Sequence, residues 1–383
     1  MMETKVAKSD IWLRNITLAV MACNLLNSLF PVRPFMLRIL LLLLCVIVLL
    51  KRWNTLVPLE KWMFSLSALN FLYFLIAYIS RNVSATLVAN NLCAFLPLSI
   101  FVHLSKRGAM TERFVSIMIV VLLIASVGYY INYERMRVLS YGVDDSENLT
   151  INASTVFVML LPLLFFEKNR VLFFSELAIC VFFIVAAVKR GNIVASVIPI
   201  GLLMLYQYKQ SKKNLLTMFL LIVFVTVGTL LLREYILDNS YFLRRLDDTM
   251  AGETSNRNRI YRDCFLLWWN SDIIQILFGH GYRSTVQLLH TAAHSDWLQL
   301  LADNGLLGAV LYMVIFISLY KNIRKAISWQ DRLVLWSALF IWFAKSIYSM
   351  AYVENYLFML MISIGLVIGK QKQVSTDRGL KYA

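Results

Sequence analysis

Three of the four histidines in this 383-residue chain, His280, His290 and His294, fall in one stretch, Gly279 to Gly308. The residues after His294 place Trp297, Leu298, Leu300 and Leu301 on a mainly apolar helical face. That face leads into a hydrophobic run beginning near Leu306, with Gly305 and Gly308 where the helix would meet a membrane. The helix is expected to continue straight into lipid. A helix N-terminus disfavours imidazolium, so a histidine there stays neutral and able to accept a proton. His294 is therefore the candidate general base. His290, four residues earlier, is the alternative if the helix starts sooner. Asp296 is close enough to cap the helix or orient a ring, and His280, between Gly279 and Gly281, marks a turn.

The cations nearby point to phosphate. Every cation between Arg233 and Asn304 is an arginine: Arg233, Arg244, Arg245, Arg257, Arg259, Arg262 and Arg283. Nine acids against these seven arginines rule out a generic basic patch. A guanidinium fork can hold two phosphate oxygens at once, which an ammonium cannot. Arg259 and Arg262, three apart on a predicted helix, would project together, with Ile260, Tyr261, Cys264, Phe265 and Trp268 available for its apolar face. The plainer alternative is snorkelling, or pairing with Asp247, Asp248 or Asp263. A further arginine, Arg190, lies in Val188-Lys189-Arg190-Gly191-Asn192, a connection so tight that Lys189 and Arg190 must sit at the membrane surface. Lys345 reads most simply as a snorkelling residue at the outer end of a span.

These residues need a membrane scaffold. Hydrophobic residues make up 60% of the chain and charged ones 15%, more apolar surface than a soluble protein of this length could hide. Apolar runs fall at about 11–30, 35–50, 62–80, 84–104, 114–131, 152–166, 171–188, 191–208, 215–232, 305–320, 333–349 and 353–369. The expectation is an all-α integral membrane protein of about twelve spans with one long, helical outer loop. The chain divides into spans over 1–232, the loop over 233–304, and further spans with a tail over 305–383. The cations of the short loops concentrate on one side, which places both termini in the cytoplasm and the loop outside. The net charge of +15 is explained in this way and calls for no nucleic acid. The five cysteines show neither paired nor metal-like spacing, so no disulfide framework and no metal site are expected.

The motif order resembles the bacterial O-antigen polymerase and O-antigen ligase superfamily. The resemblance rests on Arg190-Gly191, Asn258-Arg259-Ile260-Tyr261, Gly279-His280-Gly281, His294-Ser295-Asp296-Trp297-Leu298 and Asn304-Gly305-Leu306-Leu307-Gly308. It covers about 190–320 by motif and the whole chain by topology. Lys189 stands where relatives often have serine, and Asp263 where many have tryptophan, which leaves the loop arginine open among Arg257, Arg259 and Arg262. The resemblance implies a GT-C-like glycosyltransferase of the bacterial inner membrane that needs neither metal nor cofactor. Donor and acceptor would be saccharides on undecaprenyl diphosphate at the periplasmic face, with a chain-length regulator and a flippase as possible protein partners. His294 would be the catalytic base and Arg190, with Arg257, Arg259 or Arg262, would hold the diphosphate. His290, Asp296 and Arg283 would support them. The form of the His294 block favours a polymerase over a ligase that transfers polymer to lipid A core. A flippase or transporter is the competing class, but the long loop breaks the two-fold symmetry such proteins commonly show.

Overall fold

A computed structural model describes residues 6–26, 34–81, 85–141, 152–187, 189–210, 257–352 and 355–381. The expected span at 215–232, the arginines Arg233, Arg244 and Arg245, and Asp247 and Asp248 lie outside these residues. The described residues are overwhelmingly helical, and no strand occurs among them. The helices are α1 (Lys8–Leu25), α2 (Pro34–Arg52), α3 (Pro58–Arg81), α4 (Ala85–Phe95), α5 (Pro97–Lys106), α6 (Glu112–Tyr141), α7 (Thr155–Leu160), α8 (Arg170–Ala186) and α9 (Arg190–Gln210). After them come α10 (Arg257–Trp269), α11 (Ile273–Phe278), α12 (Ser284–Leu289), α13 (Asp296–Lys325), α14 (Trp329–Tyr348) and α15 (Phe358–Lys381).

Five helical stretches among the described residues are long and apolar enough to cross a membrane: Pro58–Ser80, Ala85–Lys106, Glu112–Tyr133, Arg190–Gln210 and Asp296–Lys325. Every other expected apolar run within the described residues is also helical.

The centre of the bundle is α15. Its residues from Phe358 to Ile368 are buried on all sides, as expected of a helix that is apolar all round and has no exposed face to make polar. Gly365 and Gly369, four apart, let it approach α5 closely. A Cβ on Gly365 would lie 2.6 Å from the Phe101 Cβ, and one on Gly369 2.5 Å from the Ser105 Cβ. The Ser105 hydroxyl donates across the same contact to the Leu366 carbonyl at 2.7 Å. Small residues at such a spacing are the means by which membrane helices bring backbones together without a hydrophobic driving force.

The three short helices α10, α11 and α12 precede α13 and pack on its first turns. The sequence predicted that α13 would run straight from His294 into the membrane, and this expectation fails. The helix breaks at Gly305, whose φ of 62° and ψ of −157° belong to a region essentially restricted to glycine. The break has a partner in the Gly-x-Gly turn. A Cβ on Gly305 would meet the Leu277 carbonyl carbon at 2.5 Å, and one on Gly279 would meet that of Asp303 at 2.4 Å. Interrupting a helix frees carbonyls that must find other donors. Here the His280 N–H donates to the Ala302 carbonyl at 2.8 Å and the Gly281 N–H to the Asp303 carbonyl at 3.0 Å. The two glycine motifs are halves of one backbone-to-backbone joint.

Candidate active site at the head of the broken helix

His294 sits two residues before α13, in the left-handed conformation with φ of 52°. A non-glycine residue holds that conformation only when its surroundings enforce it, and the enforcement is visible on both sides. On the N-terminal side, the Gln299 side-chain carbonyl accepts from the Ala293 N–H at 3.3 Å and from the Thr285 hydroxyl at 2.8 Å. Gln299 in turn donates to Asp303 at 2.9 Å. The buried Asp303 carboxylate also accepts from the backbone N–H groups of Arg283 and Ser284 and from the Ser284 hydroxyl, which seats α12 on α13. On the C-terminal side, the Ser295 hydroxyl donates to the Ser346 carbonyl at 3.3 Å, and the Trp297 indole to the Ser346 hydroxyl at 3.0 Å. From above, the Tyr261 hydroxyl of α10 lies 3.2 Å from the His294 carbonyl and 3.1 Å from the Ile347 carbonyl. Every one of these contacts grips the main chain or a neighbour. Among the described residues, none hydrogen-bonds the imidazole nitrogens.

The ring is open to solvent on one side. Packing on its other side, then the positive charges of Arg257 and Lys189, lower its pKa below the usual histidine value. Imidazolium is disfavoured here and the neutral, proton-accepting ring is favoured. Two cations beside a neutral histidine form a place where an anion can bind while the base stays unprotonated.

The sequence left three loop arginines open, and the geometry separates them. Arg257 donates to the Tyr348 carbonyl at 2.8 Å, at the end of α14, and is the one whose charge acts on His294. Arg259 and Arg262 do project together, but onto Asp263, at 3.7 and 3.5 Å, with side chains 78% and 69% exposed. Among the described residues their carboxylate partner is Asp263, one of the three aspartates that the plainer alternative names. Arg190 is the first residue of α9, next to Lys189, whose ammonium donates to the side-chain amide oxygen of Asn152 at 2.7 Å.

The supporting candidates are less uniform. His290 caps the C-terminus of α12 in a left-handed conformation and is exposed. Because α13 starts at Asp296, His290 lies well outside it. Arg283, also left-handed, is the N-cap residue of α12, and its backbone contribution is the bond to Asp303. His280 is the turn residue expected, and its ring pairs with the Ser271 hydroxyl at 2.7 Å.

Asp296 neither caps the helix nor orients a ring, contrary to expectation. It is fully buried, accepts from the Tyr312 hydroxyl at 2.5 Å and from the Ala351 N–H at 2.8 Å, and so ties the segment after α14 to α13. Lys345 does not snorkel. It is 2% exposed, and its ammonium donates to the side-chain amide oxygen of Asn192 at 2.8 Å and the Thr155 hydroxyl at 3.4 Å. The Asn192 amide donates onward to Ser154 at 2.5 Å. A buried ammonium is tolerated only with such partners, and these join α14 to the start of α9 directly below Lys189 and Arg190. Sequence reasoning missed Tyr261 and Lys189 as site residues. In the sequence Tyr261 reads as part of an apolar helical face and Lys189 as a cation at the membrane surface.

One comparison bears on this arrangement. Residues 177–313 match the family model for O-antigen ligase. The match covers about a third of the chain and supports its similarity to the O-antigen polymerase and ligase superfamily. The match runs from α8 to the middle of α13 and contains Lys189, Arg190, Arg257, Tyr261 and His294. Members of this superfamily are enzymes that transfer glycosyl groups, and its domain together with the apolar helices marks a multi-pass membrane protein. No match was found among curated proteins.

Proposed function

We propose that the protein is a membrane glycosyltransferase that joins saccharide repeat units carried on undecaprenyl diphosphate into a surface polysaccharide, at the periplasmic face of the inner membrane. The observation that carries this reading is the juxtaposition of a ring biased to neutrality, His294, with the cations Arg257 and Lys189. The acceptor hydroxyl gives its proton to His294 as its oxygen attacks the anomeric carbon of the donor sugar. The bond from that carbon to the diphosphate oxygen breaks, and the departing diphosphate takes the electron pair. Arg257 and Arg190 supply forked donors for the charge that develops on the leaving group, with Lys189 adding a point charge. The topology that puts this site outside is supported by the excess of cations on the opposite loops.

A second reading is favoured by the description of the matched family, O-antigen ligase: transfer of finished polymer to lipid A core. Both reactions use the same base and the same leaving group. A deletion strain separates them. The polymerase reading expects single repeat units still attached to core, with long chains lost. Loss of every attached chain, with lipid-linked polymer accumulating, would establish the ligase instead.

A further inference from the structure

The exposed surface of α10 changes character along its length. Its first turns present Asn258, Arg259 and Arg262 to solvent, whereas its last turns present Phe265, Leu266 and Trp269. From Arg259 to Trp269 the helix rises roughly 15 Å. The apolar end continues into α11, where Ile273 and Ile274 are each 68% exposed and Leu277 and Phe278 stand beside them. A contiguous patch of this kind facing water is uncommon and marks a surface that something apolar covers.

What covers it is indicated by what it adjoins. The Tyr73 hydroxyl, near the end of α3, donates to the Phe278 carbonyl at 2.5 Å. The Phe74 ring meets the Tyr282 ring edge-on at 5.8 Å between centroids. The stretch Pro58–Ser80 of α3 is long and apolar enough to span a membrane, and at this same end it exposes Leu72, Ile76 and Ile79. The patch therefore extends the lipid-facing surface of a membrane helix.

We infer that α10 and α11 form an interfacial element that rests in the membrane leaflet on the side of the active site, with Trp269, Ile273 and Ile274 among phospholipid acyl chains and Arg259 and Arg262 at the headgroup phosphates. Tryptophan beside aliphatic residues on one face, with arginine at the margin, is the composition such elements carry. Two groups limit the depth. Asn270 is exposed between the helices, and the exposed Asp272 spends one carboxylate oxygen capping α11 through the Gln275 N–H at 2.9 Å. Neither belongs in hydrocarbon, so the element is shallow. The placement gives the two exposed arginines a role apart from catalysis. It also holds Arg257, two residues further from the patch than Arg259 and beside His294, at the height of a lipid-linked phosphate; only this last point rests on the proposed function.

The test uses the full-length protein in nanodiscs of phosphatidylethanolamine and phosphatidylglycerol, which leave both faces accessible and require neither activity nor a known topology. Single cysteines are placed as Trp269→Cys, Ile274→Cys and Arg259→Cys in a Cys23→Ser background, since the other four native cysteines are buried. Each is spin-labelled, and collisions with oxygen and with a water-soluble nickel chelate are measured. The inference expects oxygen to dominate at positions 269 and 274, and the chelate to dominate at 259. Chelate access at 269 and 274 equal to that at 259 would overturn it, because the patch would then face water. Shielding of 269 and 274 from both reagents would also overturn it, because a second copy or another part of the protein would then be the cover. Far-ultraviolet circular dichroism matching the parent chain confirms that each variant is folded.

Discussion

The hydroxyl of Tyr261 lies 3.2 Å from the carbonyl of His294, so the helix that carries Arg257 holds the histidine by its main chain and leaves its ring uncommitted. The same hydroxyl reaches the carbonyl of Ile347 at 3.1 Å, one residue before the carbonyl of Tyr348 that Arg257 engages. Base, cation and the end of α14 are thereby fixed to one another through a single turn of α10.

This arrangement separates the three arginines that the sequence could not rank. Arg257→Ala should lower polymer-forming activity by ~10², the scale for losing one donor to developing charge. Arg259→Ala and Arg262→Ala should each retain most of it, since both are exposed and held on Asp263. Turnover of a lipid-linked oligosaccharide in proteoliposomes measures this directly. Equal losses at all three positions would mean that α10 as a whole, and not Arg257, serves the site.

The pH dependence follows from the charges around the ring. Packing, Arg257 and Lys189 all lower the pKa of His294, so the base stays neutral to a lower pH than an ordinary histidine. The acid limb of kcat/KM should therefore lie below the usual histidine range. Lys189→Met removes one of the cations, which raises the pKa and moves that limb to higher pH. A pH–rate profile with an unmoved limb would show that the titrating group is not His294.

The joint between the glycine motifs makes a prediction about stability. Gly305→Ala forces a side chain into glycine-only backbone, at a cost of about 1–3 kcal/mol, and drives its Cβ to 2.5 Å from the Leu277 carbonyl carbon. The detergent-solubilised protein should melt at a lower temperature. Gly281→Ala is the comparison: its φ of 97° is also strained, but no atom lies within 4 Å of the added Cβ. It should be the milder of the two, and an equal loss would show that backbone strain alone, without the contact, sets the cost.

The helices of this protein were legible because lipid imposes one rule, long apolar runs, that composition reveals directly. The arginine-rich helix, the turn at His280 and the histidine ahead of α13 were legible for a related reason, since each is a local pattern. What the sequence concealed depends on contacts between distant residues. The break at Gly305 exists because Gly279 lies against it, and nothing in Asn304-Gly305-Leu306 alone distinguishes a broken helix from a continuous one. Lys345 could be recognised as buried only once Asn192, on another helix, was seen beneath it. Asp296 looked like a helix-start acid, and its actual partners lie far along the chain: Tyr312 beyond the break in α13 and Ala351 after α14. Spacing could not choose among Arg257, Arg259 and Arg262, because the choice is made by a carbonyl on α14.

The central claim is that His294 accepts a proton, and paired substitutions at that position test it most directly. In a strain lacking the chromosomal copy, His294→Ala and His294→Asn are expressed to parental levels in the membrane, and surface polysaccharide is resolved by length. Asparagine can keep a hydrogen bond but cannot take a proton near neutral pH, and loss of a positioned base typically costs ~10²–10⁴ in rate. The account predicts that both variants lose long chains while His290→Ala keeps them. Normal chain lengths with His294→Asn would contradict it.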